Sequence, residues 1–191
     1  MKKVLLILGH PDKNSLNGRL ANVFEEEIKN KQYDFRRINL GDLNFDLNLS
    51  KGYREVKELE PDLKKAQEDI LWADSLVFVF PMWWYSFPAI LKGFIDRIFL
   101  PSFAFKYSKN GSNFPDKLLK GKKSFLICTS GGPNIYYFFI GNLATKTLKR
   151  MLAFCGIKNK KTILFGSSSG DPEKINLDKH RNKILKIINL I

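Results

Sequence analysis

The run Lys3-Val4-Leu5-Leu6-Ile7-Leu8, followed at once by Gly9-His10-Pro11-Asp12-Lys13-Asn14-Ser15-Leu16-Asn17-Gly18, decides the fold. A short β-rich segment gives way to a polar loop. Leu16, Leu20, Val23, Phe24 and Ile28 then recur at helical spacing, and residues 35–40 return to strand character. This is a βαβ opening, and the same alternation continues along the chain. Residues 75–80 form a continuous apolar run of the kind a buried strand needs, whereas Ile90, Leu91, Phe94, Ile95, Ile98 and Phe99 lie on one helical stripe. Strand character returns at 124–128, helix at 143–154 and strand at 162–165. Asp171-Pro172-Glu173 supplies an N-cap, an N1 proline and an early acid for a last helix.

About five strands alternating with about five helices predict an α/β protein with a doubly wound, five-stranded parallel sheet, because right-handed crossovers place helices on both faces. There is no internal repeat, low-complexity segment or Pro/Gly-rich linker, so residues 1–191 read as one domain. The long irregular stretches are 41–60 and 101–121, and long loops in compact α/β domains are disproportionately functional.

Composition narrows the classes further. With 191 residues, 44% of them hydrophobic and 13% aromatic, the chain has ample material for a core, which excludes disorder. Cys128 and Cys155 lie in apolar runs without CxxC or Cys/His ligand spacing, so neither a disulfide framework nor a metal site is expected, and a reducing cytoplasm fits. The apolar run after Lys2 and Lys3 is shorter than the roughly 7–15 residues of a secretory h-region. The uncharged stretches 75–91 and 124–145 are broken by Pro81, Pro88 and Gly131-Gly132-Pro133, so a soluble chain, not embedded in a membrane, is expected. Lys plus Arg number 32 against 19 Asp plus Glu, a net +13. The lysines are spread through loops and helix faces without any nucleic-acid-binding signature, so a nucleic-acid partner is not expected.

Ligands of open α/β sheets sit beyond the carboxyl ends of the strands, near the point where strand order reverses. Three loops there are unusual. The first places His10, Ser15 and Asn17 around a helix start, where free N–H groups and the helix dipole favour a phosphate; capping by Asn14 or Ser15 is the simpler use of the same residues. It contains neither GxGxxG nor GxxxxGK[ST]. The loop after the third strand, Pro81-Met82-Trp83-Trp84-Tyr85-Ser86-Phe87-Pro88, concentrates aromatics that a planar ligand, a protein interface or the core would cover. The loop after the fourth, Thr129-Ser130-Gly131-Gly132-Pro133, brings backbone N–H groups close to any ligand, with Tyr136 and Tyr137 following; a plain Gly-Gly turn is the alternative. A phosphate pocket, an aromatic shelf and a backbone-donor loop at one end of one sheet together describe a flavin nucleotide site.

The stretch from Pro81 to Phe99, with Gly9-His10-Pro11, Ser15-Leu16-Asn17, Phe103-Ala104-Phe105-Lys106-Tyr107 and Thr129-Ser130-Gly131-Gly132 in the same order, strongly resembles the NAD(P)H:quinone oxidoreductase family of flavodoxin-like fold. The resemblance covers nearly the whole chain and implies sheet order 2-1-3-4-5. It implies FAD or FMN bound non-covalently, with FAD favoured by the Ser-Leu-Asn element. NADH or NADPH would be the electron donor and a quinone-like small molecule the acceptor, in a ping-pong cycle carried out by a homodimer. By that resemblance His10, Ser15, Leu16 and Asn17 hold the phosphate side. Pro81, Met82, Trp83, Trp84 and Tyr85 support the flavin ring, and Thr129, Ser130, Gly131 and Gly132 donate to its pyrimidine edge. Tyr137 matches a catalytic tyrosine, while Phe105 and Tyr107 match aromatics of the substrate site. Some members carry a histidine shortly after that tyrosine; residues 138–144 contain none, which leaves Tyr136, Tyr137 and water as proton donors. Some relatives instead serve potassium-efflux transporters as regulatory subunits, which is the alternative reading.

Overall fold

The computed structural model of the chain describes residues 1–55, 57–107, 115–169 and 175–191. Strand β1 (Lys2–Leu8), helix α1 (Leu16–Lys29), strand β2 (Tyr33–Asn39), helix α2 (Pro61–Trp72), strand β3 (Ser75–Pro81) and helix α3 (Ala89–Ile98) make up its first half. Two short antiparallel strands, β4 (Phe105–Lys106) and β5 (Asp116–Lys117), precede strand β6 (Lys123–Thr129). Helices α4 (Asn134–Ile140) and α5 (Leu143–Phe154), strand β7 (Lys158–Phe165) and helix α6 (Asp178–Ile188) complete the order.

The main sheet is parallel throughout and runs β2-β1-β3-β6-β7, which, counting its own five strands, is the expected order 2-1-3-4-5. Strand order reverses between β1 and β3. Side chains alternate across the sheet within each apolar run. Leu5, Ile7, Leu76, Phe78, Phe80, Leu126 and Cys128 pack beneath α2, α3 and α5, while Val4, Leu6, Leu8, Val77, Val79, Phe125 and Ile127 pack beneath α1 and α6. Both faces are therefore core.

The last sheet strand begins at Lys158, four residues before the apolar run that announces it. Those added residues are polar and largely exposed because β7 is an edge, where lysines discourage pairing with other chains. The cap proposed at Asp171-Pro172-Glu173 lies outside the described residues; the described helix starts at Asp178.

Arg97 of α3 ties residues 46, 58 and 60 to that helix. Arg97, fully buried, donates to both carboxylate oxygens of Glu60 (3.1 and 2.7 Å) and to the backbone carbonyls of Asp46 and Glu58. Burial raises the Glu60 carboxyl pKa, but the Arg97 hydrogen bonds and the backbone donors outweigh it and hold the group below its ordinary value.

Candidate functional site

The backbone ladder continues past the strand ends and sets the loops side by side. Gly9 donates to the Val79 carbonyl (2.8 Å), Met82 to that of Thr129 (2.7 Å) and Ser130 to that of Phe165 (2.9 Å). A cleft of about 350 Å³ opens beyond them, within the range of cofactor sites. It is lined by His10, Ser15, Leu16, Asn17, Pro81, Met82, Trp83, Thr129, Ser130 and Gly131, all singled out from the sequence, together with Ser168 and Ser169.

The loop before α1 is held by its own hydrogen bonds. Ser15 caps α1, its hydroxyl accepting from the Gly18 N–H (3.3 Å) and donating to the Asp12 carbonyl (2.7 Å), so its capping role is real. The buried Asn17 amide donates to the Thr129 hydroxyl (3.0 Å) and fixes this loop to the end of β6. His10 Nδ1 lies 2.9 Å from the Asp12 N–H and 2.8 Å from the Asp12 carbonyl oxygen, so both contacts fix the ring's orientation and the tautomer decides which of them is the hydrogen bond. Burial holds this histidine below its ordinary pKa despite Asp12.

The aromatic loop is a tight turn of unusual composition. Trp83 N–H donates to the Ser86 carbonyl (2.8 Å) and Ser86 N–H to that of Trp83 (2.9 Å), with φ of +49° at Trp84 and +61° at Tyr85. Positive φ at both central residues is the type I′ arrangement that Asn-Gly ordinarily fills. A tryptophan and a tyrosine in that conformation carry strain of roughly 1–3 kcal/mol each. What the strain secures is the display of three rings: Trp83 edge to face with His10, ring centroids 5.3 Å apart, Trp84 95% exposed, and Tyr85 with its hydroxyl 2.8 Å from that of Tyr136. Replacing Trp84 with Asn and Tyr85 with Gly together is expected to raise stability by about 1 kcal/mol in urea unfolding while weakening any stacked planar ligand about tenfold. Unchanged stability would show that the turn is relaxed.

Trp84, Tyr85 and Gly132 stand outside the residues lining the cleft. Tyr137 packs against the core with its hydroxyl beside Gly132, where an added Cβ would meet Oη at 3.0 Å. The hydrogen bond with Tyr85 holds the Tyr136 phenol above its ordinary pKa, so it stays protonated at neutral pH. Among the described residues, the N–H groups of Gly131 and Gly132 donate to no protein acceptor. Phe105 and Tyr107 line a different cleft of about 420 Å³ between α3 and α5, which within one chain is separate from the first. Ser168 and Ser169 were not singled out. They enter because the 166–169 loop follows β7, next to β6, and is drawn over by Ser168 N–H donating to the Ser130 carbonyl (2.9 Å).

The two thiols stay protonated at neutral pH. Both are buried, and burial pushes Cys128 up to about 12 and Cys155 up to about 11.

His180 also sits below its ordinary pKa, again through burial. The unfolded chain takes up protons at these two histidines near 6.5 while the folded chain resists, so their contribution is present above that pH and is lost as pH falls below it. Urea midpoints are expected to drop between about pH 7.5 and about pH 5.5, and the pair His10→Gln and His180→Gln to flatten that dependence. A midpoint equally pH-dependent in the double variant would contradict this.

A parallel doubly wound sheet with a polar and aromatic cleft at its reversal point is the architecture whose ligand sites lie at the strand-order switch. The chain belongs to the flavodoxin-like fold family, whose profile matches residues 2–188. It is similar to an FMN-dependent NADH:quinone oxidoreductase of Macrococcus caseolyticus, 32% identical over 200 residues and covering 91% of each chain. A ribosyldihydronicotinamide dehydrogenase-like protein of Penicillium crustosum is 29% identical over 160 residues; the match spans 71% of this chain and 60% of that one. Among solved structures, one from Streptococcus mutans superposes with a TM-score of 0.77 at 29% identity, covering 98% of this chain and 97% of that one. Among the described residues, no helix is long and apolar enough to cross a membrane.

Proposed function

We propose that the chain is a flavin-dependent NAD(P)H:quinone oxidoreductase. The observation that carries this reading is the cleft at the β1/β3 reversal, where a helix N-terminus with the His10 ring beside it, Trp83 of the aromatic turn and the unbonded Gly131 amide meet. Those groups fit a flavin nucleotide: anion donors at one end, π-faces beside it, and backbone donors for a polar ring edge. FMN takes precedence over FAD because the relative that matches over nine-tenths of both chains is named FMN-dependent.

When bound, the flavin would accept hydride equivalents from NADH or NADPH and release two electrons to a quinone-like acceptor. The chain's own tasks are then positional. Ser15, Leu16, Asn17 and His10 would hold the phosphate side, Pro81 to Tyr85 would support the ring, and Thr129 to Gly132 would face its polar edge. Tyr137, backed by the core and placed beside Gly132, with Tyr136 in hydrogen-bond contact with Tyr85, supplies a proton near that edge. A second copy of the chain would bring Phe105 and Tyr107 to the acceptor side.

The test is the absorbance spectrum of the purified protein, with released cofactor identified by mass and the holoprotein titrated anaerobically with NADH and NADPH. Flavin bands that bleach and return on adding a quinone support the reading. A protein that takes up neither FMN nor FAD overturns it, and one that binds flavin without turnover points to a regulatory subunit.

A further inference from the structure

Tyr85 and Tyr136 stand 51 residues apart in the sequence, yet their hydroxyls meet at 2.8 Å. One belongs to the turn after β3 and the other to α4 beyond β6. Their bond therefore ties together the two loops whose inner residues, Trp83 and Gly131, line the 350 Å³ cleft. Both partners are braced. The left-handed backbone at Trp84 and Tyr85 aims one ring, and Tyr137, packed against the core, holds the other edge to face at 5.2 Å. Neither local structure needs these hydroxyls: backbone bonds between Trp83 and Ser86 close the turn, and α4 has no side-chain cap.

Two phenols carry two O–H groups, and the pair spends one of them. Whichever tyrosine donates, the other keeps an O–H that meets no protein acceptor among the described residues. Accepting a hydrogen bond polarises that remaining O–H and strengthens it as a donor. Tyr136 feels no charged side chain among the described residues; the groups that set its titration are Tyr85 and Tyr137. An uncharged donor at the rim of an aromatic cleft suits a neutral oxygen on a planar ligand. We propose that the Tyr85–Tyr136 pair donates its unspent O–H to a carbonyl oxygen of the quinone, orienting the molecule and stabilising the negative charge that gathers on that oxygen as electrons arrive. This role rests on the flavin-dependent reading of the cleft. It needs one ligand oxygen at the pair, not an open surface, so it stands with a second copy over the cleft mouth.

Phenylalanine at either position frees the O–H of the tyrosine left behind. Tyr85→Phe and Tyr136→Phe singly should therefore bind quinone within about twofold of wild type, and only the double variant should lose the donor. Oxidised holoprotein and 1,4-naphthoquinone cannot react with each other, so quenching of tryptophan fluorescence reads their dissociation constant without turnover. The double variant is expected to weaken it about fivefold, the worth of one neutral hydrogen bond. After reduction by NADH, reoxidation by the naphthoquinone should slow about 30-fold in the double variant, less than the loss of a fully buried oxyanion donor because both rings are half-exposed. Reoxidation by ferricyanide, which takes single electrons and offers no carbonyl oxygen, should keep its rate. Single variants as impaired as the double would make the bond between the loops the active feature and overturn the proposal. So would equal slowing with ferricyanide, or a double variant with wild-type affinity and quinone rate. Flavin content and bleaching by NADH, measured in every variant, separate the two readings: a wild-type chain without flavin overturns both, and normal flavin content with an unaffected double variant overturns the tyrosine pair alone.

Discussion

Arg97→Leu is expected to lower the stability of the chain by about 3 kcal/mol, the largest effect of any single side chain described here. The guanidinium is fully buried and serves both Glu60 oxygens and two backbone carbonyls of the 43–60 stretch. Removing it strands a carboxylate and two carbonyls in a poorly hydrated place, and that desolvation dominates the loss. The side chain of Glu60 is 25% exposed, which keeps the figure at the lower end of the range for buried pairs. Adding Glu60→Leu should recover a large part of the loss, since a neutral pair leaves no buried charge. Urea unfolding of the two variants decides the matter. A double variant as unstable as the single one would mean that the carbonyl contacts, not the ion pair, hold the stretch.

Gly18→Ala is expected to cost about 2 kcal/mol of stability and about 100-fold in flavin affinity. A Cβ on Gly18 would fall inside the contact radius of the Lys13 carbonyl, backbone that cannot swing away as a side chain would. The loop 10–15 must lift, and with it go the Ser15 cap and the placement of the His10 ring. Overpacking of this kind costs roughly 1–3 kcal/mol, and two lost charge-assisted bonds to a phosphate correspond to at least two decades of affinity. Gly41 meets the Pro11 carbonyl from the other side in the same manner, so Gly41→Ala should act in the same direction. Fluorescence titration of each variant with FMN reads the effect. A variant that loses stability but binds flavin normally would separate the loop from the phosphate side.

How much of this was legible beforehand depends on where each residue's partners lie. The helix Leu143–Phe154 appears at its predicted limits because its apolar period and its Asn142 cap are local. Strand and helix alternation gives a parallel doubly wound sheet, whereas its order came only through the family resemblance carried by residues 81–99. The first half of β7 was hidden because Lys158 and its neighbours read as loop, and only their place at the sheet edge makes them strand. Helix α4 was hidden because Ile135 to Phe139 is apolar all round and shows no period. At the cleft, residue types were readable but geometry was not. Nothing local in Trp84-Tyr85 signals left-handed backbone, and Ser168 and Ser169 gain meaning only from the strand beside them.

The bond between Asn17 and Thr129 spans 112 residues of sequence. Its two ends leave the ribosome far apart in time, and both residues line the same cleft. A nascent chain that has exposed only β1, α1 and β3 therefore owns half a pocket. Loading of any cofactor belongs to the released or nearly completed polypeptide, and ligand present during synthesis can trap the finished fold but cannot template its first half.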